Sequence, residues 1–167
     1  EQVQLDDEPR ARGRRGIAWF SADEAPELLS SGAMTPTALS PEVIELIGRS
    51  SLYLGNCARV LFRDVESNGF SIVHAWFGEN FPLPRHKHAG DCLYYVLKGE
   101  LRMGSKTVRE GDGLFVPSGR PYTYRAGPGG VEVLEFRMVS SFDMDTLDQD
   151  QAKWESYAKI GDQMAEV

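Results

Sequence analysis

The stretch Gly78-Glu-Asn-Phe-Pro-Leu-Pro-Arg-His86-Lys-His88-Ala-Gly-Asp-Cys92-Leu-Tyr-Tyr-Val-Leu-Lys-Gly99 decides how this chain is read. A proline-containing loop over residues 78–85 leads into an extended segment around His86 and His88. Side chains in an extended segment alternate between faces, so the two imidazoles project to one side, close enough to share a single ion. Cys92 and Tyr94 have the same parity and join that side if the strand resumes in register after Ala89-Gly90. The chain holds 3 histidines, and this H-x-H takes two of them. The other is His74, on a stretch where it shares a face with Ile72 and Trp76.

Outward from this stretch, residues 57–138 have the rhythm of short strands and tight turns. Strands are expected at 57–63, 70–77, 91–98, 100–103, 106–109, 114–116, 122–125 and 131–138. Turns fall at 66–69, 104–105, 110–113, 117–121 and 126–130. Such spacing predicts an antiparallel sandwich or barrel. Upstream, Ser40 suits an N-cap and Pro41 the first position of a helix with Val43, Ile44 and Ile47 on its apolar face, ending near Gly48. Downstream, Leu147, Trp154, Tyr157, Ile160 and Met164 recur at near-helical spacing among acidic residues. That stripe is expected to pack on the barrel or on a second subunit. Four segments result: a polar arm (1–16), a helical or irregular extension (17–54), a barrel (55–140) and an acidic C-terminal helix (141–167).

Composition narrows the function classes. The chain has 167 residues, 41% hydrophobic and 26% charged, which suits one domain. No apolar run approaches the roughly 20 residues that span a bilayer, so no membrane role is expected. The net charge is −7, of which residues 142–167 supply −5 through seven acids and two lysines. The rest is nearly balanced, which argues against nucleic acid, a partner that demands a concentrated basic face. Arg10, Arg12, Arg14 and Arg15 lie beside Glu1, Asp6, Asp7 and Glu8 and read as a self-cancelling solvated tail. The 2 cysteines, Cys57 and Cys92, form neither a CxxC nor a disulfide framework. A cytoplasmic setting is the default.

The two glycine-anchored motifs of this chain resemble those of the cupin superfamily. The first cupin motif places His-x-His ahead of a glutamate and a glycine; here His86, His88 and Gly99 match, with a longer glycine spacer and Cys92 at the glutamate position. The second runs from a glycine through Pro-x-Gly to a histidine; here Gly111, Pro117 and Gly119 match at full spacing, with Tyr122 at the histidine position. The resemblance covers about half the chain. It implies an all-β core, a cupin-like double-stranded β-helix (jelly-roll) barrel with helical N- and C-terminal extensions. It also implies a divalent metal ion (Fe, Zn, Ni or Mn) and a homodimer.

A metal needs three or four ligands, and H-x-H supplies two. The candidates to complete it are Cys92, Tyr122 and His74, while Asp91 has the opposite parity. Tyr122 and Tyr124 are the candidate acid–base or donor groups, and Trp76, Phe81, Tyr94 and Phe115 the candidate pocket wall. Three functions stay open. The first is a metal-dependent enzyme acting on a small organic molecule, for which the resemblance implies dioxygenase, lyase, isomerase or hydrolase chemistry. The second is a non-catalytic module binding a small ligand. The third is a metal-free barrel in which a histidine and a tyrosine move a proton.

Overall fold

Strand β5, Cys92–Met103, is the spine of the molecule, because three other strands pair with it. The computed structural model describes residues 16–165; the arm expected at 1–16 lies, except for Gly16, outside the described residues. The other strands are β1 (Met34–Pro36), β2 (Asn56–Arg63), β3 (Ser71–Phe77), β4 (His86–Lys87), β6 (Lys106–Arg109), β7 (Gly113–Val116), β8 (Arg125–Arg137) and β9 (Phe142–Thr146). Helices α1 (Pro41–Arg49) and α2 (Gln151–Ala165) flank them, with a 3₁₀ helix at Ser51–Gly55.

The large sheet runs β2-β3-β8-β5-β6, and β7 also pairs with β5. A small sheet runs β1-β9-β4, with β1 parallel to β9 and β4 antiparallel to it. Period-2 alternation buries Val73, Ala75 and Phe77 of β3, Val131 and Val133 of β8, and Cys92, Tyr94 and Val96 of β5 on one face of the large sheet. That face meets the small sheet: Arg137 of β8 lies over the Phe142 ring of β9 at 4.0 Å. The architecture is an all-β barrel with helical extensions. Among the described residues no helix is long and apolar enough to cross a membrane.

Several boundaries differ from expectation for physical reasons. The strands expected at 91–98 and 100–103 are one, because Gly99 takes φ +74° and lets β5 bend without breaking. A Cβ there would lie 2.3 Å from the Gly130 carbonyl oxygen. The turn expected at 126–130 is strand, since β8 stays paired to β5 through Leu101–Ala126 and Arg102–Arg125. Residues 122–124 form no strand: Tyr122 makes only an isolated bridge to His86 before β8 begins at Arg125, which also bridges Pro82. The C-terminal segment is not all helix: its first part is β9, which holds the small sheet together.

The helices are built as their sequences suggest, with one change of face. Ser40 Oγ accepts from Val43 N at 3.3 Å and caps α1. Val43 is fully buried and Ile47 packs inward as expected, whereas Ile44 faces out and Leu46 takes its place. On α2, Trp154 and Tyr157 are buried in the same cluster, and the helix packs on the 3₁₀ helix and α1. Leu147 precedes the helix, Ile160 is half-buried, and the Met164 side chain lies outside the described residues. Asp148 ties α2 to the loop before His86. Its Oδ2 accepts from Arg85 N (2.7 Å) and Tyr157 OH (2.9 Å), and its Oδ1 from Lys153 Nζ (2.8 Å).

Candidate functional site

His86 and His88 enter the barrel on a short extended strand fixed from both sides. His86 pairs with Thr146 of β9 and exchanges two backbone hydrogen bonds with Tyr122, at 3.0 and 2.9 Å. Each imidazole then meets a backbone carbonyl through Nδ1: Pro84 O at 2.8 Å for His86, and Asp143 O for His88. A carbonyl only accepts, so Nδ1 carries the proton and Nε2 the lone pair. The rings lie 4.9 Å apart and are 2% and 6% exposed. Burial lowers the pKa of both, and for His88 burial together with Arg137 brings it to about 4. Both imidazoles are therefore neutral at pH 7.

Tyrosines cover the histidines. The Tyr122 ring sits 4.3 Å from that of His86, and its hydroxyl bonds the Tyr94 hydroxyl at 2.5 Å. Tyr124 packs at 6.0 Å from Tyr94 and edge-on to Phe77 at 5.9 Å. Burial pushes all three phenols far above their ordinary range, so they stay protonated. Phe81 is buried against Phe77, ring to ring at 5.3 Å.

Two residues that the sequence reading passed over sit at the centre. On β8 the inward series Val131, Val133 continues with Glu135 and Arg137, both nearly inaccessible. Arg137 Nη2 donates to Glu135 Oε2 at 2.7 Å and approaches His88 Nε2 at 3.4 Å. Its Nη1 donates to Cys92 Sγ at 2.7 Å. Burial, aided by Glu135, pushes the Cys92 thiol up to about 12, so it is no thiolate. The signal was available: two charges in phase with two valines point inward. It shows as exceptional only once β8 is known to be a buried central strand.

Three candidates lie elsewhere. His74 alternates with the buried Val73 and Ala75, so it points out of the barrel, where Nε2 meets Glu132 Oε1 at 2.7 Å. It is not a ligand of the histidine pair. Trp76 and Phe115 are outward as well, 43% and 58% exposed, and are not pocket wall. Phe136, by the same parity, is on that outer side. Asp91 is exposed and accepts from Ser118 N at 2.7 Å.

Solved structures with this arrangement of strands include KdgF from Halomonas sp., at a TM-score of 0.50 and 14% identity over 73% of this chain and 94% of that one. The fold is that of the cupins. Others are an oxalate decarboxylase OxdC mutant of Bacillus subtilis (TM-score 0.50, 24% identity, 56% of this chain and 28% of that one) and the polyketide cyclase RemF from Streptomyces resistomycificus (0.51, 21%, 60% and 77%). No protein-family model and no curated protein matches the sequence.

A cupin metal centre needs a converging donor set, and these residues do not fit one. Among the described residues no three or more His, Cys, Asp or Glu side chains converge. Cys92 is a thiol held by a guanidinium, and Tyr122 is a protonated phenol bonded to Tyr94. Arg137 already faces the His88 lone pair. An ion bound there, at about 2.1 Å from the nitrogen, would lie against a permanent cation. Glu135 is a buried carboxylate, but Arg137 engages it.

Proposed function

We propose that this chain is a metal-free cupin that binds a small organic molecule in the barrel and moves a proton on it. The observation that carries the reading is the Arg137 guanidinium, packed against Cys92 Sγ and His88 Nε2 where a bound metal would require empty space. The dioxygenase expectation loses its support with the donor set. Proton transfer keeps its parts. His86 is a neutral imidazole whose Nε2 is the lone-pair nitrogen, and Tyr122 is a protonated phenol whose ring is tilted against it at 4.3 Å. Tyr94 orients the Tyr122 hydroxyl. Ionised Arg137, itself buried, would stabilise negative charge developing on a bound oxygen. Two structural neighbours are named for enzymatic activities, oxalate decarboxylase and polyketide cyclase, which lends an enzymatic direction but no reaction.

The test is metal content by mass spectrometry on tag-free protein, with cobalt(II) titration of the same sample and of a His86→Ala/His88→Ala variant. Substoichiometric metal and no cobalt ligand-field bands support the reading. Stoichiometric metal that disappears in the double variant overturns it. The homodimer expected from the sequence is proposed on the outer face of the large sheet, where Leu93, Tyr95 and Phe115 are exposed. Sedimentation of a Leu93→Glu/Phe115→Glu variant tests that separately.

A further inference from the structure

Nearly all polar groups buried in a folded protein are hydrogen-bonded, roughly 90% or more, so each exception asks for a reason. Among the described residues, Arg137 Nε and the Tyr124 hydroxyl are buried side-chain atoms without a partner. Both belong to the polar layer of the barrel and not to the surface or the helical cap. Arg137 cannot turn to satisfy Nε, because its two Nη atoms are already held by Cys92, Glu135 and His88. Tyr124 is walled by the rings of Phe77, Tyr94 and Tyr122, at 5.9 to 6.4 Å between centroids, and the hydroxyls of the last two are bonded to each other.

We infer that the molecule taken up in the barrel carries an oxygen acceptor, a carboxylate or a carbonyl, and that Arg137 Nε–H and the Tyr124 hydroxyl are donors that hold it. The inference rests on the metal-free small-molecule reading and names its ligand class. Both free groups can donate, and the Nε–H can do nothing else, so the complement is an acceptor. Either acceptor can take the same two hydrogen bonds, but Glu135 already balances the guanidinium charge, so a carboxylate would also bring its own charge into the buried site. The surrounding rings suit a flat, unsaturated body beside that oxygen.

Three probes of similar shape separate the possibilities: benzoate, benzamide and toluene. Binding is followed on ¹⁵N-labelled protein by the Arg137 Nε–H resonance, assigned by its loss in Arg137→Lys. Benzoate or benzamide is expected to shift that resonance, and toluene is not. Benzoate alone would identify a carboxylate, and benzamide alone a carbonyl. Tyr124→Phe is expected to weaken the bound probe about tenfold, the worth of one recovered hydrogen bond in a dry site. The same variant is expected to raise the Tm of the free protein, because it removes an unpaired buried hydroxyl; a purely structural tyrosine would lower it. Toluene binding as tightly as benzoate and benzamide would overturn the inference, as would an unchanged affinity in Tyr124→Phe or an Nε–H resonance that no probe moves. None of these touches the metal-free reading, which stoichiometric metal in the purified protein would remove.

Discussion

Two neighbouring rows of the large sheet differ by one residue and by everything else. The row Ile72–Phe136–Leu93–Phe115 crosses β3, β8, β5 and β7 on the outer face, with Leu93 48% exposed. The next row, Ser71–Arg137–Cys92–Val116, crosses the same strands on the inner face and contains a buried cation. Aromatic and aliphatic side chains meet solvent while a Glu–Arg pair is kept dry. Burying ions costs more than burying a hydrocarbon of the same volume, so this inner row is not what stability alone would place there. The comparison marks the inner row as the part of the barrel whose polarity is kept at a cost to stability.

The largest effect expected from this contrast comes from Arg137. Arg137→Met leaves Glu135 buried and uncompensated and should cost about 3–5 kcal/mol, whereas Glu135→Leu/Arg137→Met should recover most of that. Urea titrations of both variants test it, and equal losses would mean the pair is not an isolated buried unit. Two leucines of β5 repeat the comparison without charge. Leu101 is fully buried, so Leu101→Ala should cost about 2–5 kcal/mol, against about 0.5 kcal/mol or less for the outward Leu93→Ala. Similar losses would show that the outer face is covered in solution.

A third effect is read in pH. His88 titrates near 6.5 when unfolded and near 4 in the folded protein, because burial and Arg137 disfavour its charged form. Between those values the unfolded chain holds the extra proton. The neutral state's contribution is thus complete above about pH 6.5 and lost as pH falls towards 4. The loss is on the order of 3 kcal/mol, and His86 shifts in the same direction. Urea midpoints at pH 7 and pH 5 measure the part of it, about 2 kcal/mol, that is lost by pH 5, and His88→Gln should flatten the difference. The smallest effect is Tyr94→Phe, which removes the bond to Tyr122 and should cost about 1 kcal/mol. It should act on Tyr122 chemistry more than on folding.

Much of this was legible in the residues. The alternation of His86 and His88 and the extension of that parity to Cys92 and Tyr94 followed from period 2, and the turns at Gly111 and Gly119, which take positive φ, from the glycine and proline spacing. The Ser40 cap and the Pro41 start of α1 followed from the chemistry of helix ends. His74, Trp76 and Phe115 were misplaced because parity says which residues share a face but not which face is inside. Strand β9 was hidden because it is only five residues long and carries Asp143 and Asp145, a residue type depleted in strands, and because its pairing with β1 and β4 is remote in sequence.

The sequence by itself determined that this chain makes a strand-rich barrel with two histidines facing one way, since local geometry and backbone sterics act over a few residues. Only the tertiary structure decided what those histidines face. Arg137 reaches Cys92 and His88 across 45 and 49 residues of chain, through the antiparallel pairing of β5 with β8. Which charge is buried beside which lone pair is set by that long-range register, and with it the guanidinium placed between Cys92 and His88.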